Sequence, residues 1–77
     1  MADNKQDDLE SQEEVLYTFE KNERETVKVR KTTFKGKEYL DIRVYITNQE
    51  GEEIPTKKGI NIPFELAPEL KKGLENL

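Results

Sequence analysis

The sequence predicts an α+β domain in which a four-stranded sheet precedes a single C-terminal helix. Three observations carry this prediction. Residues 26–45, TVKVRKTTFKGKEYLDIRVY, alternate in polarity on either side of a Lys35-Gly36 pair, as a β-hairpin does. Two further β-prone runs flank the hairpin, VLYTF before it and TKKGINI after it. The last stretch then changes period, placing Leu66, Leu70, Leu74 and Leu77 on one helical face. An isolated hairpin is marginal in water, so the flanking strands and the helix are needed to cover its apolar side.

Residues 1–14 contain Asp3, Asp7, Asp8, Glu10, Glu13 and Glu14 against Lys5 alone, and they lack periodicity. They are expected to form a disordered acidic tail, with one domain spanning 15–77. Val15, Tyr17 and Phe19 follow on one face of a short first strand, and EKNERE makes a polar connection. In the second strand, 26–34, Val27 and Val29 face one way and Lys28, Arg30, Thr32 and Phe34 the other. Lys35-Gly36 fits a two-residue turn, because Gly36 takes positive φ without a steric penalty. The third strand, 37–47, is the clearest. Leu40, Ile42, Val44 and Ile46 share the core side, while Lys37, Tyr39, Asp41, Arg43 and Tyr45 share the opposite side. A loop from Asn48 to Pro55 leads to the fourth strand, where Ile60 and Ile62 face the core. Gly59 marks a bulge there or a close approach to the backbone. Pro68 is tolerated only in a first helical turn, so the helix is expected to begin between Phe64 and Pro68. Lys71 and Lys72 suit its C-terminal half, and Gly73 weakens it.

Seventy-seven residues bound the chain to one domain with a thin core, for which self-association is a natural remedy. No run approaches a membrane span, and MADNKQDDLE is not a signal peptide. An intracellular protein is expected, in the cytoplasm or nucleoid of a bacterium or the nucleus of a eukaryote. Histidine and cysteine are absent, which removes the commonest general base, the thiol nucleophile, disulfides and thiolate metal sites. The adjacent carboxylates Asp7/Asp8, Glu13/Glu14 and Glu52/Glu53 point apart and lack EF-hand spacing, and no Walker glycines precede Gly36-Lys37. Neither catalysis nor a cofactor or metal is expected.

The net charge of −4 conceals a polarised distribution. Between residues 24 and 43, Arg24, Lys28, Arg30, Lys31, Lys35, Lys37 and Arg43 outnumber Glu25, Glu38 and Asp41. Local charge decides which face attracts an anion. Proteins that hold single-stranded nucleic acid combine a basic groove with aromatic stacking platforms. The outward residues Lys28, Arg30, Phe34, Lys37, Tyr39, Arg43 and Tyr45 have that composition. The competing reading is a solvated sheet face with cross-strand tyrosine pairs and Phe34 covered by the N-terminal segment. Lys57-Lys58 is either a second basic point or a gatekeeper pair on an edge strand. The acidic tail is either solubilising, a competitor of nucleic acid for the basic face, or a contact for a basic partner.

FKGKEYLDIRVY, an EGE loop with Pro55, then KKGI and a leucine-bearing terminal helix together resemble the DNA-binding domain of the transcriptional positive cofactor four family. The resemblance runs over residues 27–77. It implies four curved antiparallel strands followed by a helix, and a homodimer that grips single-stranded DNA with little sequence preference in transcription or DNA maintenance, with transcription-machinery proteins as further partners. By position, Phe34 resembles the family's stacking aromatic, and Lys37, Arg43, Lys57 and Lys58 its backbone-contacting cations. Arg30 or Lys31 stands near a further cation, and Lys28, Arg30 and Tyr45 extend the surface. The family's indole is Ile46 here, a basic residue before the loop proline is Ile54, an Asn-Pro helix cap is missing, and the basic leader is replaced by an acidic one. RNA binding through the same face, or a protein-interaction module using the sheet edge or the tail, are the alternatives.

Overall fold

The structure, a computed structural model, describes residues 11–77. The strands are β1 (Ser11–Glu20), β2 (Glu25–Phe34), β3 (Lys37–Thr47) and β4 (Glu53–Pro63). A 3-10 turn (Phe64–Leu66) leads into helix α1 (Ala67–Leu74). The strands form one antiparallel sheet, as expected, and their order is β1-β2-β3-β4. The first ten residues of the expected acidic tail lie outside the described residues. Its last four belong to β1, where Glu14 stands opposite Lys31 and Glu13 opposite Thr32. Among the described residues, no helix is long and apolar enough to cross a membrane.

Each turn has a local cause. Lys35 and Gly36 both take positive φ, 52° and 82°, which is the two-residue turn whose twist matches that of its strands. The turn sets Phe34 opposite Lys37 and thereby the whole β2–β3 register. Asn22 closes β1–β2 by accepting from the backbone N–H groups of Arg24 and Glu25. Asn48 does the same for Glu50 and Glu52 between β3 and β4.

Two irregularities interrupt the ladders. Val15 pairs with Arg30 but Tyr17 with Val29, so Leu16 is an extra residue in β1. The expected single face of Val15, Tyr17 and Phe19 is therefore corrected: Val15 falls on the polar side, while Tyr17 and Phe19 share the apolar side with Val29 and Val27. In β4, Gly59 pairs with Arg43 but Pro55 with Tyr45, leaving Thr56, Lys57 and Lys58 opposite Val44. Two extra residues preserve parity, so Ile54, Ile60 and Ile62 all register with the apolar side of β3, at Ile46, Ile42 and Leu40.

Burial is concentrated in few residues. Among the described residues only Leu40, Asp41 and Tyr45 are buried. Leu40 lies on the apolar side, at an open groove of about 780 Å³ lined also by Leu16, Val29, Phe64, Leu70 and Leu74. Much of that side remains exposed, including Phe19, Ile46, Ile54, Ile60, Leu66 and Leu74. The helix begins within the expected window, with Pro68 in its first turn, and it ends at Leu74. Leu77, expected on the helical face, lies beyond that end and is fully exposed.

Candidate nucleic-acid interface

The polar side of the sheet is organised around Asp41. The hairpin register places Arg30 directly across from it, and Asn61 faces it from β4. Strand alternation brings Arg43 to the same side two residues on. Asp41 is only 1% exposed. Its Oδ2 accepts from Arg30 Nη2 at 2.6 Å and Arg43 Nε at 3.2 Å. Its Oδ1 accepts from Arg43 Nη2 at 2.9 Å and Asn61 Nδ2 at 3.2 Å. Burial pushes the Asp41 pKa up, but the hydrogen bonds from Arg43, Arg30 and Asn61 prevail and hold it at about 2. The same carboxylate raises both arginines above their ordinary range, against the desolvation that would lower Arg30. Arg30 also bridges to Glu13 on β1.

This arrangement changes what the sequence-predicted residues can do. The charges of Arg30 and Arg43 are largely spent inside the sheet. Tyr45, expected to present its ring outward, is corrected: it is only 8% exposed. Lys28 Nζ lies 4.7 Å from its ring centroid and Arg30 Cζ 5.7 Å, so the ring is a platform for cations of its own sheet. Lys28 is further held by Glu53 at 2.7 Å. Lys31 registers with Leu40, on the side opposite Phe34, and lies over the Phe64 ring.

The remaining candidates are free of such ties or nearly so. Phe34 is 48% exposed at the end of β2, with Lys35 Nζ 5.3 Å from its ring. Lys37 is exposed directly across from it. Lys57 and Lys58 are exposed in the β4 bulge, Lys58 making only a 3.7 Å ion pair with Glu25. Lys37 and the bulge opposite Val44 are seven residues apart along β3, roughly 23 Å at strand rise. The sheet therefore offers an aromatic-cation point at the hairpin and a dilysine point at the edge-strand bulge, where Lys58 reaches Glu25, which registers with Ile46 on the apolar side.

The bulge is held by side chains. Thr56 Oγ1 donates to the Val44 carbonyl at 2.7 Å and accepts from the Lys58 N–H at 3.2 Å. Arg43 Nη1 donates to the Thr56 carbonyl at 2.9 Å. Gly59 serves both roles expected of it. It follows the bulge, and a Cβ there would lie 2.5 Å from the Ile42 carbonyl oxygen.

Sequence reasoning missed Asp41 as an organiser and Glu13 as the outer partner of Arg30. The signal was available for Asp41, since a Lys35-Gly36 turn pairs Arg30 with Asp41 by counting outward from Phe34 and Lys37. Among the described residues, no group of three carboxylate, histidine or cysteine side chains is placed to hold a metal ion.

Comparison with solved structures shows the same fold. A PC4 homolog from Burkholderia pseudomallei K96243 matches in its orthorhombic crystal form with a TM-score of 0.73 and 24% identity, over 79% of this chain and 82% of that one. Its tetragonal form matches with a TM-score of 0.74 and 24% identity, over 80% and 91%. A bacteriophage T5 homolog of the eukaryotic transcription coactivator PC4, implicated in recombination-dependent DNA replication, matches with a TM-score of 0.58 and 26% identity, over 84% and 70%. No curated protein sequence matches. The family model of Transcriptional Coactivator p15 (PC4) matches residues 20–73, from the end of β1 into the last turn of α1, and the chain belongs to that family.

Proposed function

We propose that this chain is a single-stranded DNA-binding protein that acts without catalysis in transcription regulation or DNA maintenance. The observation that carries this reading is the exposed Phe34 ring flanked by Lys35 and Lys37 on one hairpin, with the exposed Lys57-Lys58 pair farther along the same sheet. Phe34 stacks on an unpaired base, and Lys37, Lys57 and Lys58 neutralise phosphates. Lys28, Arg30, Arg43 and Tyr45 shape the surface between these points instead of contacting the strand directly. Family membership supports the reading, as does the T5 homolog's implication in recombination-dependent DNA replication.

The working unit in this proposal is a homodimer inside the cell. The apolar side of the sheet supports it: Ile46, Ile54 and Ile60 form an exposed row beside an apolar groove that α1 leaves open. A second copy covering this side gives the thin domain the core that one chain lacks.

Fluorescence anisotropy tests the function. A labelled ~20-nucleotide single DNA strand is compared with its duplex and with the RNA of the same sequence, at two salt concentrations. Salt-sensitive binding that favours the DNA single strand over its duplex supports the proposal. Preference for the RNA moves the same surface to an RNA-binding role, and absence of binding to all three overturns the nucleic-acid reading in favour of a protein-interaction module.

A further inference from the structure

Four side chains connect the strands in one polar line: Glu13 on β1, Arg30 on β2, Asp41 on β3 and Asn61 on β4. A branch leaves this line at Asp41. Two donors of Arg43, Nε and Nη2, lie on the Asp41 carboxylate, and its Nη1 reaches the Thr56 carbonyl. Thr56 opens the bulge that carries Lys57 and Lys58. Within that bulge three residues stand opposite Val44, so the regular ladder does not fix their positions.

We propose that Asp41 is a positioning residue for the Lys57-Lys58 contact. It orients the Arg43 guanidinium so that Nη1 pins Thr56, and this sets where the two lysines stand. The proposal rests on reading those lysines as phosphate contacts. A planar guanidinium held at two of its nitrogens has its third directed in a fixed way, which a lysine ammonium does not reproduce. Three of the five N–H donors of Arg43 are already taken by the Asp41 carboxylate and the Thr56 carbonyl. The Nη1 bond to Thr56 gives Arg43 a route to a bound strand through the bulge.

Two measurements test the assignment, each with Asp41→Asn and Arg43→Lys. Arg43→Lys keeps the positive charge and carries both measurements alone if Asp41→Asn fails to fold. The first, amide hydrogen exchange, needs no ligand. Exchange at the Lys58 N–H should rise at least about tenfold while the β2–β3 ladder amides keep their protection, as expected for a local opening. Unchanged protection at Lys58 overturns the proposal. The second is a double-mutant cycle read by anisotropy with the labelled DNA single strand. In the unaltered protein, Lys57→Ala with Lys58→Ala should lower affinity about tenfold and the salt slope by about 1.4. In the Arg43→Lys background the same pair should change affinity by less than about twofold, because the lysines are no longer in place. Equal losses in both backgrounds overturn the proposal. If the unaltered protein binds no strand, the nucleic-acid reading fails by itself, and the exchange result alone decides whether Asp41 and Arg43 hold the bulge.

Discussion

Acidification is a direct probe of the Asp41 network. The carboxyl titrates at about 2 in the folded chain, against an ordinary value of 3.8. Burial opposes that shift, and the hydrogen bonds from Arg43, Arg30 and Asn61 more than offset it. A carboxyl depressed by folding stabilises the folded state at pH above its unfolded value. The contribution is therefore complete at neutral pH and is lost as pH falls from about 4 through about 2. Its size is about 2 kcal/mol. A 77-residue domain has a total stability of roughly 4–12 kcal/mol, so one carboxyl carries a substantial share. The assay is a carbon-13 carboxyl titration of Asp41, paired with urea unfolding at fixed protein concentration between about pH 5 and pH 2. The concentration is fixed because dimerisation would otherwise shift the midpoint. The titration should give an Asp41 midpoint near 2, with stability falling over the same interval. An Asp41 midpoint at or above 3.8 would refute the argument that the arginines bind its ionised form.

Three substitutions extend the account. Gly59→Ala forces a methyl against the Ile42 carbonyl and the Arg43 backbone, and should cost about 1–3 kcal/mol in urea unfolding; a neutral effect would mean that β4 approaches β3 less closely. Tyr45→Ala removes a buried ring from beneath Lys28 and Arg30 and should destabilise the fold by about 3 kcal/mol, whereas an outward-facing base platform would leave stability nearly unchanged. Ile60→Glu puts a charge on the exposed apolar side and should shift the proposed dimer to monomer in light scattering; an unchanged mass would remove that side from the interface.

The parts of the fold that were legible in the sequence are those governed by alternation and by turn chemistry. β3 has the predicted bounds because its side chains alternate without interruption, and Lys35-Gly36 adopts the predicted turn because Gly36 takes positive φ without a steric penalty, with Lys35 held at φ 52° beside it. Gly59 announced the close approach it permits. The β1 bulge was hidden, because Leu16 carries no glycine or proline and reads as one more β-prone residue. The start of β1 was hidden for a different reason. Acidic residues read as a solvated tail, yet Glu13 finds Arg30 and Glu14 stands opposite Lys31 once the strand pairs. Composition counts charges and says nothing of their partners.

The same limit applies to the candidate site. Phe34, Lys37, Lys57 and Lys58 are exposed, as the pattern suggested, because they sit at a hairpin end or in a bulge where neighbours are few. Arg30, Arg43 and Lys28 lie at mid-strand positions where the register supplies Asp41 and Glu53 as counter-charges. Tyr45 belongs to the polar side by parity, but two cations cover its ring. Alternation assigns a residue to a side of the sheet, while exposure depends on what the neighbouring strands place over it.

In the proposed complex, Phe34 stacks on a base and Lys57 and Lys58 neutralise phosphates. The most direct test compares the salt dependence of single-stranded DNA binding for the unaltered protein, for Phe34→Ala, and for Lys57→Ala with Lys58→Ala. Phe34→Ala should weaken binding roughly five- to 150-fold with the slope unchanged, since stacking releases no counterions. The lysine pair should flatten the slope by about 1.4, two phosphate contacts' worth on a single strand. Equal changes of slope in both variants, or binding indifferent to both, would contradict the account.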